Sequence, residues 1–412
     1  MATEPTIGEN LARLRSQTGL TQRELSVKSG VGLPTIRGLE RGARTTALMA
    51  TISKLASALD VKPSVLLGAR QTLHQDDGSR DESITRLRRA IHPLDGLAGV
   101  SVQADTGEVP SVEDLHRSVE QAWRTYHRGE FSELIAGLPA LLVGARVAAG
   151  ELRGGPRRAA HAALSRAYQA AAQAAGHLGQ DDLARSAVER SMPAADTADD
   201  GLLVASGCNA LAWVLLRQNE SELAGQIASA AADRLNPRFS RGQYREVRMW
   251  GRLRLTGVTA ASRQEDFPTA EELLADARRC TTVVDVDAMD YVNGGHQSAF
   301  GPSRVTMIAV EVAMARQEPA VALRLARSVS PTPRIPPMTR GRHLLDVAQA
   351  QTWLGQYSEA VQTLTRVHGM APEWIRYQVL AREVVRQVQE NRGRRRLDGL
   401  VPLAKHLNLV TV

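Results

Sequence analysis

The residues with the clearest chemical potential lie near the N-terminus, in two short predicted helices joined by a tight turn. Thr21 is a good N-cap, and Glu24 three residues later completes a capping box, so a helix is predicted to begin here. The Gly-Val-Gly turn at 30–32 cannot continue that helix, whereas Pro34 suits the first turn of the next one. Two short helices joined in this way have the geometry that inserts the second helix into the DNA major groove. The chemistry expected of this segment is non-covalent recognition of duplex DNA.

Sequence motifs typical of catalysis are missing. The chain has no Gly-rich phosphate loop ending in Gly-Lys-Ser/Thr, no Rossmann glycine fingerprint and no His-Glu-x-x-His. The ten histidines are scattered, and Cys208 and Cys280 do not stand at metal-ligand spacing. Asp285, Asp287 and Asp290 resemble the start of a calcium loop, but its glycine and closing glutamate are misplaced. We therefore predict a protein that is not an enzyme and that needs neither a metal ion nor a cofactor.

Composition favours a nucleic-acid partner. The 412 residues suffice for two or more domains, and the net charge is +7. Residues 1–67 contain nine Lys or Arg against five Asp or Glu, so +4 of that excess lies in the proposed recognition segment. Such an excess can also serve solubility. No apolar run has the length of a membrane span and no signal core is present, so we expect a cytoplasmic protein without a membrane partner.

The elements that position this segment are predicted to be helices throughout. An amphipathic first helix, with Ile7, Leu11 and Leu14 on one face, precedes it and completes a five-helix domain at residues 1–69. Residues 70–110 are polar and contain glycine, which predicts a linker with one short helix at 84–91. Residues 111–412 show helical periodicity with almost no alternating strand pattern. The predicted fold class is all-α.

A recurring helix-turn-helix junction organises the second region. It has a small or polar residue, an acidic or amide residue, three variable residues and then Ala or Leu. Copies begin at Gly129, Gly179, Asn219, Glu265, Gln317 and Gly355. The pattern resembles a degenerate tetratricopeptide array of six helix pairs. Such pairs stack into an α-solenoid with a concave surface, because no pair can bury its apolar face alone.

The N-terminal segment resembles the Xre type of helix-turn-helix regulators, which are related to phage repressors. The matching motifs, all in register, are Thr21-Gln22-x-Glu24-Leu25, Ser29-Gly30-Val31, Ile36, Leu39-Glu40-Arg41-Gly42 and Leu55-Ala56-x-Ala58-Leu59-x-Val61. The resemblance implies a five-helix DNA-binding domain whose third helix is the recognition helix. It also implies an ion pair between Glu40 and Arg15, a partly buried contact with a structural role.

Base-contacting positions follow from this resemblance. They correspond here to Gly32, Leu33, Pro34, Thr35, Arg37, Gly38 and Arg41. Leu33 and Pro34 cannot make the bidentate contact to adenine that a glutamine makes in phage repressors. Readout is therefore expected from Leu33 on a thymine methyl group, from the Thr35 hydroxyl and from the Arg37 guanidinium, unless Arg37 only meets solvent. Phosphate contacts, which position a protein without specifying sequence, are expected from Gln22, Arg41 and Arg44.

The inner helices of the repeats are predicted to hold an effector. Asn209 could hydrogen-bond a peptide backbone, and Trp213 could form an apolar wall. Further candidates there and in the irregular segment 283–304 are Arg248, Trp250, Tyr291, His296 and Arg304. Core packing is the alternative for both tryptophans, helix bridging is the alternative for Asn209, and segment 283–304 could be an ordinary loop.

The combined plan is similar to a large group of actinobacterial regulators and to peptide-sensing quorum regulators of Gram-positive bacteria. It implies a sequence-specific transcriptional regulator that binds a pseudo-palindromic operator as a homodimer. The repeats would supply dimer contacts and bind a peptide or small molecule. The alternative is a protein-interaction module, such as an antitoxin, whose DNA binding is mainly autoregulatory.

Overall fold

The protein is all-α in the part of the chain that the computed structural model describes. That part comprises residues 6–42, 47, 49–61, 63–66, 78–93, 109–287, 299–330, 334–391 and 397–409. The five N-terminal helices are α1 Ile7–Gln17, α2 Gln22–Ser29, α3 Leu33–Glu40, α4 Met49–Ala58 and α5 Pro63–Leu66. Their apolar faces meet in one small core, which contains the fully buried Leu11, Leu25, Ile36, Leu39 and Leu55. The five-helix prediction is confirmed.

Local interactions determine where α2 begins and where it ends before the turn to α3. The Thr21 hydroxyl accepts a hydrogen bond from the Glu24 amide at 3.2 Å, and the Thr21 amide donates to the Glu24 carboxylate at 2.7 Å. This capping box satisfies two of the amide groups that a helix start leaves unpaired. Gly30 ends α2 in the left-handed region, with φ at 68°, where a side chain would be strained. The helix-turn-helix geometry is therefore built by residues within the segment itself.

Beyond the N-terminal domain, the described residues form six antiparallel helix pairs, preceded by one α-helix and followed by three. The leading helix is α6 Gly78–Ile91. The inner helices of the pairs are α7 Val112–Arg128, α9 Gly154–His177, α11 Gly201–Arg217, α13 Tyr244–Arg263, α15 Pro302–Ala315 and α17 Pro337–Trp353. Their outer partners are α8 Phe131–Glu151, α10 Asp181–Ala198, α12 Ser221–Leu235, α14 Phe267–Cys280, α16 Pro319–Ala326 and α18 Tyr357–Met370. The closing helices are α19 Pro372–Arg376, α20 Val379–Asn391 and α21 Leu400–His406.

The six predicted junctions are confirmed, and one backbone feature unites them. The first residue of each copy lies in the left-handed region, with φ between 62° and 80°; these residues are Gly129, Gly179, Asn219, Glu265, Gln317 and Gly355. In each turn the amide of the next residue donates to the carbonyl five residues before it, as from Glu220 to Leu215 at 2.9 Å, which is the Schellman pattern. Three of the six residues are not glycine. Each of these side chains costs about 1 kcal/mol of conformational strain, and less for asparagine.

The predicted linker contains more packed structure than its composition indicates. Helix α6 begins at Gly78, six residues earlier than predicted, and its Leu87 and Ile91 are buried in the core of the first repeats. Arg146 of α8 donates to the Ala90 carbonyl at 2.8 Å. The polar composition of this segment predicted that it would be solvated. The apolar residues along one side of α6 are nevertheless enough to pack the helix against the neighbouring core.

The repeat array curls until its last part touches its first. Trp374 of α19 is 1% exposed and packs against Gly129, where a Cβ atom would lie 2.7 Å from the Trp374 Cβ. Glu373 accepts hydrogen bonds from the Ser132 amide and hydroxyl at 2.9 and 2.7 Å. Phe131 meets Tyr377 edge-on, with ring centroids 5.7 Å apart. One hydrophobic core therefore runs from the first repeat to the closing helices, and the inner helices face a shared interior.

One helix in the described part of the chain, α8, is long and apolar enough to cross a membrane, by its length and composition alone. Its Phe131, Leu138, Leu142 and Ala145 are fully buried between neighbouring helices. A core helix of a helical array has the same composition, because it is covered on several sides. Packing within the repeats accounts for the apolar character of α8.

Candidate DNA-binding surface and effector site

Helix α3 divides the predicted base-contacting residues between core and solvent. Ile36 and Leu39 point into the domain core and are at most 1% exposed. Pro34, Arg37 and Arg41, three and four residues apart, are exposed on the opposite face. Among the other predicted positions, Gly32 is exposed, whereas Leu33, Thr35 and Gly38 are half-buried. The predicted contact Arg44 lies outside the described residues. On the exposed face of α3, Arg37 has the length to reach a DNA base edge, and Arg41 extends this face toward the DNA backbone.

Glu40 organises the helices that carry this surface. Its carboxylate accepts two hydrogen bonds from the Arg15 guanidinium, at 2.7 and 2.9 Å. Arg15 also donates to the Leu20 carbonyl at 2.9 Å, so the pair ties α1 to α3 and to the turn before α2. Burial raises the pKa of Glu40, but hydrogen bonds from Arg15 and Gln22 outweigh it and hold the pKa below its usual value. The pair is therefore ionised and structural at neutral pH.

Gln22, the predicted phosphate contact, already has a partner within the domain. Its carboxamide nitrogen donates to Glu40 at 2.7 Å. Because a carboxamide carries two N–H groups, holding Glu40 still leaves one of them for a phosphate oxygen. The contact with Glu40 fixes the orientation of Gln22 at the start of α2, where the helix dipole also favours an anion.

The N-terminal five-helix domain rests on two of the αL turns of the repeat array. Asn219 donates from its carboxamide to the Ser53 carbonyl at 3.2 Å and to the Ser57 hydroxyl at 2.5 Å, both on α4. Lys54, also on α4, pairs with Glu265 at 2.6 Å. The non-glycine residues at these two turns thus contact the N-terminal five-helix domain, which gives a reason for side chains at strained backbone positions. A movement of the third or fourth repeat would be transmitted to α4.

The effector candidates separate into interior and core residues. Asn209 is buried, and its carbonyl oxygen accepts a hydrogen bond from the Thr256 hydroxyl at 2.8 Å, which bridges α11 and α13. Trp213 lies 5.1 Å from the His177 ring, and the Arg217 guanidinium stands over it at 5.1 Å. These residues belong to successive inner helices. In this structure Asn209 therefore bridges two helices, which is the alternative role that its sequence position left open.

Trp250 occupies a different environment from Trp213. It is 6% exposed, meets Phe239 edge-on with centroids 5.4 Å apart, and is covered by the Arg254 guanidinium at 4.5 Å. Arg254 in turn pairs with Asp233 of α12. The structure thus places Trp250 in the second hydrophobic core. Arg248 of α13 is buried and Arg304 of α15 is half-buried, while Tyr291 and His296 lie outside the described residues.

Two interior arginines, Arg252 and Arg342, were missed by the sequence prediction that named Arg304, although a signal for them existed. Counting thirteen residues back from each αL residue reaches the same position on every inner helix, occupied by His116, Arg166, Ser206, Arg252, Arg304 and Arg342. Repeats four to six therefore carry an unbroken row of arginines at equivalent positions. Arg217, two residues before its own αL residue, adds a fourth cation. The repeat register was needed to see the row, since arginine is common throughout the chain.

No cluster of three or more potential metal ligands occurs among the residues that the structure covers. Asp287, a residue of the calcium-loop pattern, instead accepts a hydrogen bond from the Ser303 amide at 3.0 Å. It therefore caps the N-terminus of α15, where a carboxylate is stabilised by unpaired amides and by the helix dipole. Asp290 lies outside the described part. The role of Asp287 is structural.

Comparison with known proteins identifies the N-terminal domain. A helix-turn-helix family model (HTH_3) matches residues 11–66. An uncharacterized HTH-type transcriptional regulator of Sinorhizobium fredii is 44% identical over 55 residues, which make up 13% of this chain and 70% of that protein. The match covers α2 and α3 together with the helices that position them.

Two solved structures resemble the chain over longer stretches at 12% identity. The crystal structure of Bacillus thuringiensis PlcR in complex with the peptide PapR7 and DNA covers 69% of this chain and 96% of its own, with a TM-score of 0.27. A Rap protein complexed with Competence and Sporulation Factor covers 90% and 99%, with a TM-score of 0.40. Both TM-scores lie below 0.5, so neither likeness decides what this chain binds.

Proposed function

This chain belongs to the helix-turn-helix family of DNA-binding transcriptional regulators, a non-enzyme class, and from that premise we propose that it reads a pseudo-palindromic operator as a cytoplasmic homodimer. The observation that carries the proposal is the exposed face of α3, where Pro34, Arg37 and Arg41 stand on a helix held rigidly by the Arg15–Glu40 pair. In this docking mode two recognition helices enter major grooves about one helical turn apart. A two-fold dimer matches such an operator.

The side chains take separate roles in this proposal. Arg37 donates to a base edge, with Leu33 and Thr35 beside it at the start of α3, while Gln22, Arg41 and Arg44 hold phosphates. Gly32, Pro34 and Gly38 allow the DNA to approach the helix closely. Base contacts determine sequence preference, whereas phosphate contacts determine register and salt dependence.

The experiment is selection of binding sites from a randomised duplex pool by the full chain, repeated with Arg37→Ala and with Arg41→Ala. Wild type is expected to converge on an inverted repeat with half-site centres about ten base pairs apart. Arg37→Ala should lose about 1–3 kcal/mol at one position of each half-site and relax the preference there, whereas Arg41→Ala should weaken all sites alike and reduce the salt slope by about 1.

The matched control is Arg324→Ala, which removes an exposed arginine from the outer helix α16. It should change neither the selected sequence nor the salt slope. A pool that never converges, with binding that vanishes as salt rises, would contradict sequence-specific readout. A stable complex with another protein in that case would favour the protein-interaction function.

We further propose that the repeat domain senses a peptide or small molecule in its interior and passes the response to α4. The supporting observation is the pair of contacts from Asn219 and Glu265 to α4. Binding between the inner helices would change how neighbouring repeats pack, and the turns that hold α4 belong to repeats three and four. Coupling between two such sites typically amounts to about 1–3 kcal/mol.

Asn219→Gly tests this route, because glycine keeps the αL turn and removes both side-chain hydrogen bonds to α4. Hydrogen exchange of the α4 amides is expected to accelerate several-fold while the repeats keep their protection. Gln317→Gly is the control, since it relieves the same strain in the exposed turn of repeat five. Equal exchange in α4 of both variants would show that the Asn219 contact does not hold the DNA-binding domain.

A further inference from the structure

The interior of the repeat array holds cations that its own acids do not neutralise. Arg342 pairs with Asp346 at 2.7 Å, and Arg263 donates to the Leu216 carbonyl. The Nε atoms of Arg252 and Arg304 are buried and meet no hydrogen-bond acceptor. A guanidinium offers five N–H groups in a fixed fork, so a buried one without an acceptor is normally avoided. Within the described residues, Arg252 and Arg304 therefore form an incomplete polar site.

These arginines are arranged to act together. They occupy the same position on α13 and α15, and Arg342 continues the row on α17. Equivalent positions of stacked repeats lie side by side on one face of the array. Tyr126 of the first repeat is buried, which raises its pKa, and it lies within electrostatic reach of Arg252 and Arg217, which lower that pKa. Arg252, Arg304 and Arg342 are all half-buried, so the row lies in a partly desolvated part of the array.

The electrostatics agree with this geometry. Burial first, and then the neighbouring Arg304, lower the pKa of Arg252 to about 9. Burial also lowers the pKa of Arg304, with Arg342 acting in the same direction and Glu311 opposing it. A guanidinium stays charged in proteins, and Glu311 and Asp346 offset only part of the charge of Arg252, Arg304 and Arg342, so this part of the interior carries an excess of positive charge. The Arg252 and Arg304 side chains are half-buried rather than sealed, so a small solute can reach them.

We propose that Arg252 and Arg304 form an oxyanion-binding subsite for a small ligand that carries a carboxylate or phosphate group. Two guanidinium forks on adjacent inner helices match the several acceptor atoms of such a group, and partial burial strengthens each charge-assisted hydrogen bond. The ligand would draw α13 and α15 together by neutralising their repulsion. The subsite rests on the effector function proposed above and adds the chemical class of the effector.

The test uses inorganic pyrophosphate and a tetra-aspartate peptide as probes, each against sodium chloride at equal ionic strength. Wild type should show saturable binding by calorimetry and a rise in thermal midpoint beyond that in chloride. Tighter binding of pyrophosphate would identify a phosphate ligand, and tighter binding of the peptide a carboxylate ligand. Arg252→Gln with Arg304→Gln should weaken binding at least tenfold, since it removes both forks and preserves most of the volume.

Two control variants locate the site. Arg324→Gln with Arg327→Gln removes two exposed arginines beside the same repeat and should bind both probes like wild type. Arg37→Ala with Arg41→Ala should also retain binding, because these residues belong to the DNA surface. Loss of probe binding in that variant, with binding intact in Arg252→Gln/Arg304→Gln, would overturn the proposal.

The outcome for wild type alone is decisive even if the interior variant does not fold. Absence of any saturable effect of either probe beyond chloride would also overturn the subsite. Operator selection does not depend on these probes, so a converged operator without anion binding would refute the subsite and leave DNA recognition intact. Anion binding without a converged operator would support the subsite and contradict sequence-specific DNA recognition.

Discussion

Glu40→Ala is expected to lower the free energy of unfolding of the DNA-binding domain by about 3 kcal/mol, the low end for removing one partner of a buried ion pair. The carboxylate is 7% exposed and Arg15 is 18% exposed, so Arg15 would keep its charge in a largely desolvated position. Gln22 would lose its acceptor as well. Hydrogen exchange of the amides in α1 and α3 should therefore accelerate by about 100-fold, and operator affinity should fall with the population of the folded domain.

A double-mutant cycle provides the control for this prediction. Arg15→Ala with Glu40→Ala removes both charges, so its cost should be well below the sum of the two single changes. Equal exchange in Glu40→Ala and wild type would show that the pair contributes nothing to the domain.

The pair also has a definite pH dependence. The pKa of Glu40 is lower in the folded chain than its usual value of 4.5. The stabilisation that ionised Glu40 gives the folded domain is therefore complete above pH 4.5 and is lost as pH falls through the pKa of the folded state. Glu40→Gln lacks this carboxylate, so its stability should fall below that of wild type above pH 4.5 and should not show this loss as pH decreases.

Trp374→Ala is expected to lower the free energy of unfolding by about 3–5 kcal/mol, because it removes a large side chain from a fully packed site. Trp374 fills the space between Gly129 and Gly341, where added Cβ atoms would lie 2.7 and 2.8 Å from its atoms. The expected readouts are a lower thermal midpoint and faster exchange of the Ser132 amide, which is bonded to Glu373.

Trp374→Phe is the matched comparison. The indole Nε1 is buried without a hydrogen-bond partner among the described residues, so phenylalanine forfeits volume but no hydrogen bond. Its cost should be less than half that of alanine. If alanine left both the midpoint and the Ser132 exchange unchanged, the contact between the first and last repeats would not exist in solution.

The prediction of the fold succeeded where the deciding interactions are close in sequence. Thr21 and Glu24 cap α2 by contacts three residues apart, and Gly30 ends it through its own backbone freedom. The six repeat junctions were visible for the same reason, since an αL turn and the apolar spacing around it are local patterns. The docked helix α6 was underestimated, because its apolar stripe has meaning only beside the core that covers it.

The site was predictable only in part. The exposed positions of α3 follow from helical periodicity, yet their contact with DNA stays a prediction. Trp213 and Trp250 looked equivalent in sequence, but Trp250 is buried in the second core and Trp213 is half-buried against the first, a difference that only the neighbouring helices decide. The arginine row could be recognised only after the repeat register was known, and nothing local indicates that Arg342 has an acid partner while Arg252 does not.

By itself, the sequence determined the helices, their caps, the six turns and a recognition helix of the Xre type. These features depend on backbone preferences and on side chains within one or two helical turns of each other. Only the tertiary structure decided that the array closes through Trp374, that Asn219 and Glu265 hold α4, and that unneutralised arginines share one interior. Each of these depends on residues far apart in the chain, whose meeting depends on the summed packing angles of all six repeats.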